Sequence, residues 1–378
     1  MTSELIRDRP YVTLRRVTSA RSVKIVDLFA GIGGFHYGIA AAASELNMKV
    51  NTLLVSEIEP SCQQTYMENH GVEIQGDIWK LDLANISSGA DIVTAGFPCQ
   101  PFSNSGRKLG LTDPRGQFYF RIAEIIKSYR AKSFILENVP GIQTNGGGAF
   151  PSRLAVEPQL VGKTMAYLED QLLQLREYDV KWLELDSSEL GSPQVRKRVF
   201  IIGVHRDYAK RFQLGFRRYK LNTFMSVVSD IRIPELELSP SQSANIRSSM
   251  KDSPSFRGGM RRVGRAYKCA GGNVGQGYHA HGLVPTLTRV WARFLPIYFP
   301  HGRERLPNPR SREFEPNGFY GRGYLRRASV NEVQLLQGFP RNFKPHTVPS
   351  KAYEHFGNAV NAKVVREIAA NLIPIIKQ

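Results

Sequence analysis

Ser22-Val23-Lys24-Ile25-Val26-Asp27-Leu28-Phe29-Ala30-Gly31-Ile32-Gly33-Gly34 is the stretch that decides the fold. Its first eight residues are largely β-branched and apolar and predict a strand. Ala30 to Gly34 predicts a tight turn, and the Ala-rich run from Phe35 to Leu46 predicts a helix. Strand, glycine turn and helix open many nucleotide sites. The third glycine of Gly-x-Gly-x-x-Gly is missing here. That spacing serves close approach to a pyrophosphate, so a ligand without one is allowed. Glycines in such a turn also serve plain close packing, and the turn alone leaves that reading open.

The next segments extend the pattern. Val50 to Ser56 predicts a second strand, ending at Glu57-Ile58-Glu59-Pro60. A carboxylate after the second strand can accept both hydroxyls of a ribose. Glu59, directly before Pro60, suits a helix N-terminus, and Glu57 has that alternative too. In Gly76-Asp77-Ile78-Trp79, the acid can meet an adenine amino group or form no more than an Asx turn. Phe29, the glycine turn, Glu57 and Asp77 together outline an adenosine pocket.

Asp91 to Ala95 predicts a short buried strand, followed by Gly96-Phe97-Pro98-Cys99-Gln100-Pro101-Phe102-Ser103. The two prolines put Cys99 on a stiff irregular loop at the carboxyl edge of the sheet, where ligands bind in open α/β folds. Free cysteine is also among the most buried residue types, so a structural thiol competes. Ser105 to Gly116 reads as a lid over an anionic substrate or as an ordinary connection. Gln117 to Tyr129 predicts an amphipathic helix with Phe118, Ile122, Ile125 and Ile126 on its core face. Ser133 to Leu136 predicts a strand that brings Glu137-Asn138-Val139-Pro140 to the edge that carries Cys99. A glutamate buried there can hold a proton near neutral pH; an exposed one is a plain strand end. Lys163 to Glu177 predicts a helix, and Val180 to Asp186 and Val199 to Val204 predict strands. Between those strands, Gln194, Arg196 and Arg198 share one face of an extended segment. They offer donors to carbonyl or phosphate oxygens, or form an exposed basic edge strand.

The chain's 378 residues suffice for a large domain and a smaller one. Cys62, Cys99 and Cys269 show no pairing pattern and, with His279 and His281, no zinc-ligand spacing, so neither disulfides nor a metal is expected. No signal peptide and no membrane-spanning run is visible, and the cytoplasm is the expected location. The formal net charge is +18, and Arg206 to Arg327 holds 23 Lys/Arg against 8 Asp/Glu. So unbalanced a block fits a polyanion, nucleic acid first. Periodicity fades within it, predicting short β segments on a loop-rich frame, with Pro285 to Arg289 as an ordered strand. Ser329-Val330-Asn331-Glu332 is a capping-box pattern before Val333, Leu335 and Leu336, and Gly338-Phe339-Pro340 ends that helix. Phe356-Gly357-Asn358 reads as a turn that returns Asn358 to the first domain, and Ala359 to Ile376 as a closing helix.

In order, Asp27 to Phe35, Glu57, Gly76 to Ile78, Gly96 to Ser103, Glu137 to Pro140, Gln194 to Arg198, Leu336 to Pro340 and Gly357 to Val360 resemble the motif set of the DNA cytosine-5 methyltransferases. The resemblance runs from about Val23 to Val365. It implies an α/β fold: a Rossmann-like S-adenosylmethionine-dependent methyltransferase sheet with a second, smaller, loop-rich target-recognition domain. The implied segments are an N-terminal extension (1–21), a cofactor-binding and catalytic domain (22–205), a basic recognition domain (206–325) and a returning C-terminal segment (326–378).

By the same resemblance Cys99 adds to cytosine C6, Glu137 acts at N3, and Arg196 and Arg198 hold the base carbonyl O2 and support the catalytic loop. The target base leaves the duplex to reach them. Phe29, Gly31, Gly33, Glu57, Ile58, Asp77, Ile78, Pro98, Phe118 and Asn358 form the S-adenosylmethionine pocket. Thr286-Leu287-Thr288 looks like the small anchor of such recognition regions. The implied partner is double-stranded DNA, bound by a monomer of prokaryotic or viral origin that works beside a restriction endonuclease. An RNA-methylating branch shares the fold and the Cys and Glu pair, but its loop typically carries Pro-Pro-Cys where this chain has Phe97-Pro98-Cys99. A non-catalytic DNA-binding regulator is the third reading, and the intact Cys99, Glu137 and Arg198 stand against it.

Overall fold

Strands β1 (Ser22–Leu28), β2 (Lys49–Ser56), β3 (Ile92–Gly96) and β4 (Ser133–Asn138) pair in parallel. A short ribbon, β5 (Phe150–Pro151) and β6 (Leu160–Val161), stands apart from them. β7 (Tyr178–Asp186) and β8 (Lys197–His205) complete the sheet, in the order β2-β1-β3-β4-β8-β7, with β8 antiparallel to both neighbours. These coordinates are a computed structural model that describes residues 22–97 (except 85, 87 and 88), 118–243 (except 210, 211, 217, 218, 221, 229, 231 and 232), 256–300 (except 258, 259, 269–273, 281 and 290) and 323–377. The N-terminal extension 1–21 lies outside them.

Parallel neighbours need crossovers, and helices α1 (Gly34–Glu45), α2 (Pro60–His70) and α3 (Phe118–Ser128) lie between successive strands of the parallel set. α4 (Lys163–Leu172) follows, and α5 (Val330–Leu336), α6 (Pro349–Asn358) and α7 (Ala362–Ile376) end the chain. Val23 and Ile25 of β1 pack with Phe35 and Ile39 of α1 and Ile368 and Leu372 of α7. Val26 and Leu28 pack with Ile122 and Ile126 of α3 and Met165 and Leu168 of α4. Both faces of the sheet are therefore covered by helices, as a largely parallel sheet requires. The C-terminal helix is one of the covers, so the end of the chain belongs to the first sheet's core.

A second sheet joins β9 (Phe256–Arg257), β10 (Met260–Lys268), β11 (Val274–His279), β12 (Pro296–Pro300) and β13 (Gly323–Arg327), in the order β13-β12-β11-β10-β9. Its core unites Tyr278, Ile297 and Phe299 with Leu287, with Val333, Leu336 and Phe356 of α5 and α6, and with Ile32 of the glycine turn. The expected capping box is present at Ser329 and Glu332. Glu332 also receives both terminal nitrogens of Arg326, at 2.8 and 2.6 Å, and both side chains are fully buried.

Several local expectations need correction. Pro285 to Arg289 is not a strand: pairing is limited to a bridge between Val284 and Gln194. Proline removes the donor that a ladder needs. Phe356 to Asn358 is the last turn of α6, a helix that starts on Pro349. α4 ends at Leu172, well before Glu177. β8 lies between β4 and β7, so the alternative of an exposed edge strand is excluded.

Asp27 lies on β1 just before the glycine turn and is fully buried, accepting hydrogen bonds from Thr94 Oγ1 (2.7 Å) and Tyr66 Oη (3.4 Å). Tyr66 Oη also bonds His36 Nδ1 at 2.9 Å, and His36 stacks on His70. Burial pushes the Asp27 carboxyl up from its ordinary 3.8 to about 7. It pushes His36 down to about 4 and His70 down to about 3, so both imidazoles are neutral at physiological pH.

Two outcomes follow from these buried charges. Arg326→Met leaves a buried carboxylate unpaired and should cost about 3–5 kcal/mol in urea unfolding; adding Glu332→Leu should recover much of that loss. Because folded Asp27 holds its proton more tightly than the unfolded chain does, it lowers stability as pH rises from about 4 to 7. The stability of Asp27→Asn relative to the unaltered chain should therefore rise over that window, by at most about 1.4 kcal/mol per pH unit.

Candidate active site

The carboxyl ends of β1, β2, β3 and β4 converge on a cavity of about 400 Å³, a volume usual for a small-molecule site. Gly31 and Gly33 turn the chain at its floor with φ of +54° and +88°. A Cβ on Gly33 would strike His70 Nε2 at 2.4 Å, whereas one on Gly31 would enter open space. The first glycine therefore keeps backbone bare towards the cavity, and the second allows close packing from below. Close packing is thus the role of Gly33, and Gly31 borders the cavity.

Glu57, at the end of β2, accepts the Gly31 N–H on Oε2 (2.8 Å) and the Glu59 N–H on Oε1 (2.9 Å). Its carboxylate is thereby oriented and keeps acceptor capacity for a ligand. Ile58 beside it lines the cavity and is 70% exposed, an apolar side chain without protein cover. Asp77 Oδ1 accepts the Trp79 N–H at 3.0 Å, the Asx-type cap of a short 3-10 turn over Ile78–Lys80. Asp77 and Ile78 also line the cavity, so the turn and the pocket wall are one feature. Phe29 meets Phe118 edge to face at 5.0 Å, and Trp79 lies against the other partner, Phe118, at 5.8 Å. Asn358, at the end of α6, lines the cavity with Ala359 and Val360. Phe29, Gly31, Glu57, Ile58, Asp77, Ile78, Phe118 and Asn358 are thus gathered around one space, with Gly33 packed beneath it. Pro98 and Cys99, with the lid expected over Ser105 to Gly116, lie outside the described residues.

Glu137 lines the same cavity. Its partner across β3·β4 is Gly96, three residues before Cys99, and a Cβ on Gly96 would lie 3.7 Å from Glu137 Oε2. Arg198 Nε lies 2.9 Å from Glu137 Oε1, with both side chains only 14% exposed. The glutamate is therefore neither alone in apolar surroundings nor a plain surface acid. Arg196 points elsewhere and is 3% exposed. Its Nη1 donates to Leu287 O (2.7 Å), and its Nη2 to Ala359 O (2.8 Å) and Gly357 O (3.4 Å). The two arginines divide the work: Arg198 meets the cavity carboxylate, and Arg196 binds carbonyls of Leu287 and of the C-terminal end of α6. Thr286 Oγ1 donates to Val195 O at 2.9 Å and fastens the same junction.

Cys62 also lines the cavity, a position for which its sequence carried no signal. Burial, reinforced by Glu57, Glu59 and Glu354, pushes its thiol far up, so it is not a thiolate. Glu354 and His355 are further wall residues that sequence spacing did not single out, and Arg289, which the sequence placed only at the end of an expected strand in the basic block, is another. Among the described residues no group of His, Cys, Asp and Glu could hold a metal ion, and no helix is long and apolar enough to cross a membrane.

The chain matches the family C-5 cytosine-specific DNA methylase over residues 23–374. It is 30% identical over 360 residues to the Type II methyltransferase M1.ScrFI of Lactococcus lactis subsp. cremoris, covering 94% of this chain and 79% of that protein. It is also 30% identical over 354 residues to the Type II methyltransferase M.NlaX of Neisseria lactamica, covering 92% and 96%. Among solved structures, the Entamoeba histolytica methyltransferase EhMeth shares the fold with a TM-score of 0.66 at 16% identity, over 95% of this chain and all of that one. The S. pombe Dnmt2 methyltransferase does so with a TM-score of 0.61 at 17% identity, over 94% and 99%. With the motif order of the sequence and the cavity at the sheet edge, these matches make the chain a member of the C-5 cytosine-specific DNA methylase family, an S-adenosylmethionine-dependent enzyme that methylates cytosine in DNA at C5.

Proposed function

We propose that this chain methylates a cytosine flipped out of a specific duplex sequence, with Cys99 as nucleophile and Glu137 as its acid partner. The observation that carries the reading is Glu137 on the cavity wall, paired with Arg198 and one strand away from Gly96, after which the Cys99 loop begins in the sequence.

Cytosine C5 is a poor nucleophile. The Cys99 thiolate adds to C6 while Glu137 donates a proton or a strong hydrogen bond to N3, and the ring becomes an enamine. Arg198 holds the base carbonyl O2 and orients Glu137; Arg196 positions the surrounding backbone. Bound S-adenosylmethionine supplies an electrophilic methyl group. Once C5 carries that methyl and S-adenosylhomocysteine is left as the neutral thioether, water removes the C5 proton, the C6–sulfur bond breaks to release the Cys99 thiolate, and N3 returns its proton to Glu137, restoring the aromatic ring. Phe29 and Phe118, with Asp77 and Ile78, would hold the cofactor's adenine, and Glu57 and Ile58 its ribose. Pro98 and Asn358 would complete the pocket. The bare backbone at Gly31 and the uncovered face of Ile58 fit such a ligand.

The basic region 206–325 supplies phosphate contacts and sequence choice, and 326–378 returns to complete the catalytic domain. The relatives named Type II methyltransferases support a restriction-modification context; in this reading the chain works as a monomer in the cytoplasm and protects DNA beside a restriction endonuclease.

Cys99→Ala should lower methyl transfer to duplex DNA by at least about a thousandfold while leaving DNA binding by gel shift intact. Full transfer by this variant would remove Cys99 from the reaction.

A further inference from the structure

A second cleft, of about 510 Å³, opens on another face of α6. Pro349, Ser350 and Tyr353 line it, whereas Glu354, His355 and Asn358 line the cavity at the sheet edge, and the two spaces share no lining residue. The other walls of the cleft are the 3-10 turn Trp291–Phe294, the end of β13 and the start of α5.

The fold brings two arginines to this cleft and holds them there. Arg327 pairs with Pro296 in the β12·β13 register, three residues after Arg293, and Ala328 N donates to Leu295 O at 3.0 Å. Tyr353 is buried and its Oη donates to Ala328 O at 2.7 Å, which fixes α6 against the same strand end. The Arg293 guanidinium lies 4.6 Å from the centroid of the Phe294 ring, a contact that holds its plane and leaves its N–H groups for another partner.

The chemistry of the lining is one-sided. Besides Tyr353 and apolar groups, the described lining residues are Arg293, Arg327, Ser329, Ser350 and Asn331, with no carboxylate among them. Ser329 Oγ accepts the Glu332 N–H at 3.2 Å, so its own O–H is left to donate. Glu332 is next in sequence to Asn331, but its carboxylate is engaged by Arg326 and by the Ser329 N–H. Glu235 and Glu237 flank Leu236 and do not line the cleft. Two cations that share a cleft repel each other, and hydroxyl and amide donors beside them complete a site for an anion. One guanidinium fork satisfies a planar carboxylate; donors from separate walls suit a tetrahedral oxyanion.

We propose that this cleft binds a phosphate group. Arg293 and Arg327 take its oxygens from the strand side, and Ser329, Asn331 and Ser350 from the helix side. The phosphate belongs either to the backbone of bound DNA or to a free phosphate compound. Ser350 and Asn358 are eight residues apart on α6, about 12 Å along its axis. That span equals about three to four steps of a DNA strand at roughly 3.4 Å each, so a phosphate flanking the reacting nucleotide is within reach. The inference stands on the cleft and does not depend on the reaction assigned to Cys99.

Two measurements on the purified full chain separate the sources: fluorescence anisotropy with a mixed-sequence duplex over a range of salt, and titration calorimetry with inorganic phosphate. The variant Arg293→Met with Arg327→Met is compared with Lys127→Met with Arg130→Met, which removes two cations from a cleft at the opposite edge of the first sheet. S-adenosylhomocysteine binding within about twofold of the unaltered chain shows that each variant folds, and Arg293→Met alone carries the test if the pair does not. For a DNA phosphate, the first variant should weaken duplex binding at least about tenfold and lower the slope of log K against log salt by about one, with the control unchanged. Arg293→Lys with Arg327→Lys should restore most of that affinity. For a free phosphate compound, the first variant should lose phosphate binding and keep duplex binding. Equal weakening of duplex binding by both variants would reduce the effect to net charge and overturn the proposal. So would duplex and phosphate binding both unaltered in the first variant. If the unaltered chain bound no duplex, the DNA reading would fall, whereas phosphate binding lost in the first variant would still support the cleft, and no phosphate binding by the unaltered chain would overturn it.

Discussion

The buried guanidinium of Arg196 is the interaction on which the site depends. Removing such a cation from water is costly unless its donors are met, and here they meet carbonyls of three residues from two distant segments. Leu287 belongs to the core of the second sheet. Gly357 and Ala359 end the helix whose next residues, with Asn358, wall the cavity. Arg196 itself stands at the entry to β8. One side chain therefore ties the large sheet, the segment around Leu287 and the end of α6 together beside the cavity. Asp186 Oδ1 accepts the backbone N–H of Arg196 at 3.2 Å, which fixes the segment from behind.

Below the cavity a different set of buried polar groups supports the glycine turn. Asp27, Thr94, Tyr66 and His36 form a connected network under Gly31 and Gly33, and His70 closes the space that a side chain on Gly33 would need. Buried networks of this kind are costly when incomplete and rigid when satisfied. The turn beside the cavity thus has a floor that resists displacement, while Glu57 ties it to β2 from the side. Above, Ile32 enters the core shared with Leu287, Leu336 and Phe356. The glycine turn is therefore packed against the core of the second sheet.

The strand ends and the wall residues of the first sheet were largely legible in the sequence, because β-branched runs broken by Gly, Pro and acids mark both the strand and its functional edge. Phe29, Glu57, Asp77 and Glu137 could be placed for that reason. The second sheet was legible only as short β segments. Its pairing of β10 with β11 carries register shifts, and Val274–His279 contains two glycines, so alternation is weak. Pro285 to Arg289 looked like a strand from its composition, yet its bonds go to Val195 and to the Arg196 side chain. α6 was missed because its end, Phe356-Gly357-Asn358, has turn-forming residues; Gly357 is there for the close approach of Thr288 and Arg289. Residues such as Arg289 and Glu354 carry no local signal, since their meeting depends on the tertiary contact that Arg196 secures.

The measurement that tests the account most directly is the fate of the methyl group. The purified chain would be incubated with methyl-labelled S-adenosylmethionine and, separately, with mixed-sequence duplex DNA and total tRNA, and the products digested to nucleosides. Label recovered as 5-methyl-2′-deoxycytidine from DNA alone is the result predicted here. Label confined to cytidine from tRNA, or to another position or base in DNA, would contradict it.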